Sequence, residues 1–161
     1  MNRYILLLLL LSAFTTQAQI YVRPDGEYMD TTLNLRKNCF DMKAEAYYYS
    51  YDAKYPRSST TIQTNVTSFL NQRNIKLTGN GYVTFQFRVN CSGEISYVKL
   101  MQTDENYQPK KFKGEIVQSL YEFTKSLKDW KRIKYKNIIP LSYTAFISYK
   151  IHHGQIVAVI P

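Results

Sequence analysis

The chain contains two histidines, the side chains best suited to proton transfer or metal binding near neutral pH. His152 and His153 are adjacent and are followed by Gly154, a combination that predicts a turn. Side chains of adjacent extended residues point in opposite directions, so the two imidazoles make a poor pair of metal ligands. No GxSxG nucleophile motif accompanies them, and no Ser-His-Asp set can be assembled. We therefore expect no catalytic residue, no metal and no cofactor.

Basic side chains form the second group that could bind a ligand. The sequence has 21 lysines and arginines against 12 acids, a formal net charge of +9. Many of the basic residues fall within 110–136, a region that includes Lys125, Lys128, Lys131 and Arg132. A positive face of this kind can meet an anionic glycan, a lipid surface or an acidic protein. A solvated face that only keeps the protein in solution is the simpler interpretation.

The N-terminus has the organisation of a secretory signal peptide. Arg3 supplies a positive charge, an apolar run extends over 5–14, and Thr16-Gln17-Ala18 is a small-x-small cleavage site. The apolar run is about ten residues long, roughly half of what a membrane-spanning helix needs. We expect cleavage near Ala18 and a periplasmic or secreted mature chain without a membrane span. Export also argues against nucleic acid as the natural partner.

The two cysteines, Cys39 and Cys91, are interpreted in the light of that export. An even pair of cysteines in an oxidising compartment predicts a disulfide. The bond would close a loop of about fifty residues, which in the chain-entropy model contributes on the order of 4 kcal/mol. Two buried free thiols are the alternative. Neither cysteine has a CxxC neighbour or a histidine at metal-ligand spacing, so redox catalysis and zinc binding are disfavoured.

The elements that must position these residues are best defined in the C-terminal two thirds. Alternation of apolar and polar residues predicts strands over 81–90, 94–101 and 141–151, with a bulge near Tyr97 in the second. The apolar run 155–160 predicts a further short strand. Apolar residues at intervals of three and four predict helices over 60–74 and 110–130. Residues 19–30 read as irregular. In 31–51 the spacing favours a helix that begins near Thr32 and ends among the tyrosines of 47–55, although strand formers are also frequent there.

This order of elements predicts an α+β fold in which one antiparallel sheet packs against helices. Along the chain, the elements of the domain are expected in the order strand, strand, helix, strand, short strand. We divide the chain into a signal peptide (1–18), a partly helical N-terminal extension (19–54) and an α+β domain (55–161).

The domain resembles the C-terminal domain of the TonB family. The likeness rests on the alternating strand 81–90 and the turn Ser92-Gly93-Glu94-Ile95, and on Leu127-Lys128-Asp129-Trp130 at the helix end. The Tyr55-Pro56 pair and the long strand 141–151 are also similar, and the ending 154–161 looks like exported single-domain variants of Bacteroidetes type. The inner-membrane anchor and the proline-rich spacer of TonB are not part of the likeness, so energy transduction is not implied.

The resemblance implies a non-enzymatic periplasmic module that binds an envelope protein or peptide, such as an outer-membrane receptor. In that family a partner's strand can add to an open sheet edge, where backbone groups have no partner strand. We expect this edge along 142–150 or 155–160. The candidate edge residues are Thr144, Phe146, Ser148, Lys150, Gln155 and Val157. The alternative function is binding of an anionic glycan or lipid surface through 110–136.

Overall fold

The computed structural model describes residues 26–32, 39–40 and 46–161. Over these residues the chain has an α+β fold with two α-helices and a five-stranded sheet. The predicted signal peptide and its cleavage site lie outside the described residues, as does most of the helix expected to begin near Thr32. No helix within the described ranges is both long enough and apolar enough to span a membrane.

The helices and strands follow the predicted order, with additions at the N-terminus and after the second helix. The elements are β1 (Glu27–Asp30), a 3-10 helix (Tyr48–Tyr51), α1 (Ser59–Gln72), β2 (Gly81–Val89), β3 (Ile95–Thr103), α2 (Gly114–Ser126), β4 (Ile133–Tyr135), β5 (Ile139–Leu141), β6 (Tyr143–His152) and β7 (Gln155–Ile160). The main sheet has the strand order β1-β3-β2-β6-β7 with antiparallel pairing between neighbours. β4 and β5 form a separate hairpin.

Helix α1 forms where its periodicity predicts it. Ser58 caps its N-terminus, since the Ser58 hydroxyl accepts a hydrogen bond from the backbone N–H of Thr61 at 3.1 Å. Ile62, Val66 and Leu70 are buried along one stripe of the helix. The expectation of a helix over about 60–74 is confirmed.

The strands of the sheet confirm the alternation seen in the sequence. Val83, Phe85, Phe87 and Val89 of β2 are buried, and the residues between them are half-buried. The bulge expected near Tyr97 is also present. Tyr97 has a φ of 50°, and the register between β2 and β3 shifts at this point.

Helix α2 is shorter than the predicted 110–130. It begins at Gly114 and ends at Ser126, and Leu127 is already extended with a ψ of 106°. The backbone N–H of Phe112 donates to the Gln102 side chain at 2.8 Å, which holds the preceding residues against β3. Phe112 and Trp130 are nevertheless buried. Apolar spacing predicts burial of these positions correctly but not the helical backbone, because extended flanks can bury the same side chains.

The N-terminal part differs most from expectation. Residues 27–30, expected to be irregular, form β1, which pairs with β3. Around the tyrosines the chain forms the 3-10 helix rather than the end of an α-helix, and Tyr47 makes a parallel bridge to Thr144. The backbone N–H of Thr144 donates to the Ala46 carbonyl at 2.7 Å. This pairing with a distant strand, which local spacing cannot reveal, holds Tyr47 extended ahead of the 3-10 helix.

The core lies between the helices and one face of the sheet. Tyr149 of β6 is fully buried, and its hydroxyl lies 2.8 Å from the Thr124 hydroxyl of α2. Trp130 packs on Phe87 and Tyr55 with ring centroids 5.1 and 4.8 Å apart. The opposite face of the sheet carries the polar half of each alternating strand.

Candidate functional site

Strand β6 is an inner strand and not the open edge that its sequence suggested. It pairs with β2 from Tyr143 to Ile151 and with β7 from Ser148 to His152. The first half of β6, which β7 does not reach, is flanked on the same side by the bridge between Tyr47 and Thr144. The expectation of an open edge over 142–150 is therefore wrong. Thr144, Phe146, Ser148 and Lys150 instead project from the face of the sheet that the helices do not cover.

Strand β7 lies at the edge of the sheet. Among the described strands only β6 pairs with it, so one side of the β7 backbone faces away from the sheet. Gln155 and Val157 belong to this strand, and Val157 and Ile160 are 41% and 56% exposed. The tight turn at His153-Gly154 returns the chain beside β6. Because β2 already pairs with the other side of β6, β7 lies at the edge of the sheet.

A groove of about 480 Å³ runs between α1 and the start of β7. Its lining includes Gln63, Thr67, Asn71, Leu77, Gly154 and Ile156. The Gln63 amide donates to the Ile156 carbonyl at 2.8 Å, so this carbonyl points away from β6 and into the groove. Periodicity places Gln63 and Thr67 on the polar side of a helix, and nothing in the sequence indicates that this side faces the strand edge.

The four basic residues singled out in the sequence do not form one uniform face. The Lys125 ammonium lies 3.2 Å from the Asp30 carboxylate and donates to the Ile95 carbonyl at 3.0 Å. Lys131 donates to the Asp52 carbonyl at 2.8 Å. Lys128 and Arg132 are exposed but follow the end of α2. Half of the set is thus engaged by this chain's own acceptors, which weakens the basic region as a binding face.

The contact between Lys125 and Asp30 fastens β1 to α2. Partial burial would raise the pKa of the Asp30 carboxyl, but hydrogen bonds from the Thr32 backbone N–H and from Lys125 outweigh it. The pKa of Asp30 is therefore lowered from its ordinary value. The Lys125 ammonium, which the sequence suggested as part of a ligand site, thus makes a structural contact within the chain.

The two cysteines are brought together although 52 positions separate them. The two cysteines come within 2.6 Å of each other, a distance longer than a disulfide bond. The Cys91 backbone N–H points at the Cys39 sulfur at 3.0 Å. The disulfide remains a prediction, now between residues that are neighbours in space.

The two histidines occupy the predicted turn, but their side chains do not diverge as expected. Their ring centroids are 4.0 Å apart, because the left-handed backbone of His153, with a φ of 48°, turns both rings to the same side. Nδ1 of His152 lies 2.8 Å from the Glu105 carboxylate. Desolvation raises the pKa of the Glu105 carboxyl, but hydrogen bonds from His152 and Asn80 outweigh this effect. The pKa of Glu105 is therefore lowered from its ordinary value. Within the described residues, no three histidine, cysteine or acidic side chains cluster as a metal site would require.

Comparison of the chain with protein-family models, with curated proteins and with solved structures found no match. Two surfaces of the described residues are suited to binding: the β7 edge with its groove, and the uncovered face of the sheet.

Proposed function

We propose that this chain is a non-enzymatic binding module that takes up an extended peptide segment of another protein alongside β7. The observation that carries the proposal is the position of β7 at the edge of the sheet with a single partner strand. An edge strand offers backbone N–H and C=O groups in the spacing that another strand needs.

Side chains around the edge add to this backbone template. Val157 and Ile160 expose apolar surface that a partner strand can cover. The groove beside α1 supplies space for a larger side chain next to the first residues of β7. Because Gln63 occupies the Ile156 carbonyl, an incoming strand either pairs beyond this residue or displaces the amide. Pockets for alternate side chains give such complexes their specificity.

The wider setting of the proposal comes from the sequence. We infer that the fold is of the TonB C-terminal type, supported by the order of β2, β3, α2, β6 and β7. We further propose a periplasmic location after cleavage near Ala18, and an envelope protein such as an outer-membrane receptor as the partner. The basic region 110–136 gains no support as a binding face, because Lys125 and Lys131 are held by the chain itself.

Site-specific photo-crosslinking in living cells tests the proposal. A photoreactive residue at position 157, and separately at 160, should crosslink to one extended segment of the same partner protein, as identified by mass spectrometry. A synthetic peptide of that segment should then slow hydrogen exchange of the β7 amides. The matched control is position 135, where Tyr135 is exposed on the β4–β5 hairpin. Equal crosslinking from position 135, or none from 157 and 160 in folded protein, would contradict the proposal.

A further inference from the structure

The sheet face opposite the helices carries a second set of side chains suited to binding. Paired residues on neighbouring strands point to the same face, so the register defines its members. We call this surface the open face; its central residues are Tyr28, Tyr82, Thr84, Gln86, Arg88, Lys99, Met101, Phe146, Ser148 and Lys150. Strand β7 borders it, because Ile160 lies opposite Ser148 and Ala158 opposite Lys150 on the same face.

Aromatic rings stand at both ends of the open face. At one end Tyr107, from the loop after β3, stacks on Tyr82 with centroids 5.2 Å apart and ring planes 13° apart. At the other end Tyr47 stacks between Tyr49 and Phe146, at 5.4 and 6.2 Å. The outermost rings of the two groups, Tyr107 and Tyr49, are 59% and 60% exposed. Each end therefore presents an aromatic surface to solvent.

Polar side chains fill the distance between the two aromatic ends. Tyr82 and Gln86, the latter opposite Phe146, are four residues apart on β2, which corresponds to roughly 13 Å along a strand. The Thr84 and Ser148 hydroxyls lie here, 2.7 Å from each other. These hydroxyls and the Gln86 amide offer donors and acceptors along a flat strip.

The charge of the open face is positive. Lys150 lies over the Tyr82 ring at 5.7 Å, and Lys99 lies over the Tyr28 ring at 6.0 Å. Arg88 donates to the Thr144 and Ser142 hydroxyls at 3.2 Å, which holds its guanidinium against the sheet. The described strands place no carboxylate on this face by their register, but the Glu105 carboxylate, from the same loop as Tyr107, lies beside it and interacts with His152 and Lys150. Among the described residues of the face, Arg88, Lys99 and Lys150 outnumber this acid. An anionic ligand is therefore complementary to it.

We propose that the open face binds an anionic polysaccharide, a chain of pyranose rings bearing carboxylates, laid along β2 and β6. The C–H face of a pyranose ring packs on an exposed tyrosine ring, and the ring hydroxyls bond to a strip of polar side chains. Two aromatic ends separated by a polar strip match a chain of several sugar rings, and Lys99 and Lys150 match its charge.

The same features favour a glycan over the other polymers that could approach a basic, aromatic surface. Single-stranded nucleic acid stacks successive bases on its protein, whereas here the exposed rings are separated by the polar strip. A protein partner needs a desolvated apolar centre, whereas the Thr84 and Ser148 hydroxyls interrupt the apolar surface between Met101 and Ile160 here.

The test measures binding of a galacturonic acid hexasaccharide to the full mature chain by titration calorimetry. Tyr49→Ala and Tyr107→Ala should each weaken binding by about fivefold to tenfold, because each removes one stacking ring. Both residues are more than half exposed, so these variants keep the fold. Lys150→Gln should weaken binding and reduce its dependence on salt. Tyr135→Ala, which removes an exposed ring on the hairpin, should leave binding unchanged.

Three outcomes would overturn the proposal: no binding of the hexasaccharide, equal binding of neutral maltohexaose, or affinity untouched by both tyrosine variants. Tighter binding of a single-stranded oligothymidylate would assign the face to nucleic acid instead. None of these variants alters β7, so photo-crosslinking from position 157 should persist in all of them, and failure of one proposal is distinguishable from failure of the other.

Discussion

At the scale of single residues, the Tyr149 phenol is a polar group in the core that requires a hydrogen-bond partner. It is completely buried in a sheet that packs on α2. The Thr124 hydroxyl donates to the Leu120 carbonyl at 2.8 Å and so accepts the proton of Tyr149. The buried phenol is thereby satisfied, and the bond ties β6 to the helix.

Removing this hydroxyl should cost measurable stability. We expect Tyr149→Phe to lower the free energy of unfolding by about 1 kcal/mol, the typical net value of a buried hydrogen bond, as measured by urea denaturation. Tyr135→Phe is the control, because Tyr135 is 36% exposed. A change no larger than that of the control would show that the bond does not contribute.

Buried phenols also predict instability in alkali. Burial raises the pKa of both Tyr143 and Tyr149 above the ordinary value of 10.0. The folded state keeps these protons while the unfolded chain releases them, so stability is complete below about pH 10 and falls as the pH rises further. Urea denaturation as a function of pH should show this decline, and Tyr149→Phe should reduce its slope. Constant stability above pH 10 would contradict the assignment.

At the scale of elements, the start of β2 depends on a residue without a side chain. Gly81 has a φ of 137°, and a Cβ at this position would overlap the Thr103 carbonyl of β3. Since β2 lies between β3 and β6, displacement of its first residue disturbs both pairings. Glycine is required here by both the backbone angle and the close approach of the neighbouring strand.

We predict that Gly81→Ala lowers the free energy of unfolding by about 2 kcal/mol or more, measured by chemical denaturation. The matched control is Gly114→Ala at the start of α2, where an added Cβ meets no atom within 4 Å. That change should be neutral or stabilise by up to about 1 kcal/mol. If both alanines had the same effect, the strain at Gly81 would be refuted.

At the scale of the whole molecule, the described residues Cys39, Phe40 and Tyr47 fasten the N-terminal segment to the rest of the fold. The Cys39 sulfur meets Cys91 in the turn between β2 and β3, Phe40 bridges to Leu141, and Tyr47 bridges to Thr144. The last of these contacts lies on the side of β6 that β7 leaves uncovered. The N-terminal segment therefore completes the sheet where the last strand ends.

Oxidation should strengthen this arrangement. Treatment with oxidised glutathione should convert both thiols to one disulfide, with loss of free thiol in a colorimetric assay. The chain-entropy model gives a stabilisation of about 4 kcal/mol for a loop of this length, read as a rise in the midpoint of thermal unfolding. Cys39→Ser should abolish the rise. Thiols that resist oxidation in folded protein would refute the predicted pair.

The sequence alone determined the features that depend on neighbours along the chain. The alternation in 81–90 defined β2, the apolar spacing over 60–74 defined α1, and the Tyr97 bulge followed from a break in alternation. These signals give the α+β class because each is local: a side chain faces the core or the solvent at a fixed period of its own element.

The tertiary structure alone decided which surfaces are left for binding. Both β6 and β7 are rich in strand-forming residues, yet β6 is internal and β7 lies at an edge, since edge position depends on which strands pair with each other in the folded chain. The aromatic ends of the open face join residues as distant as Tyr47 and Phe146. Pairing between segments far apart in sequence produces no periodic pattern in the sequence. The edges, grooves and faces of the sheet are therefore defined only in the folded chain.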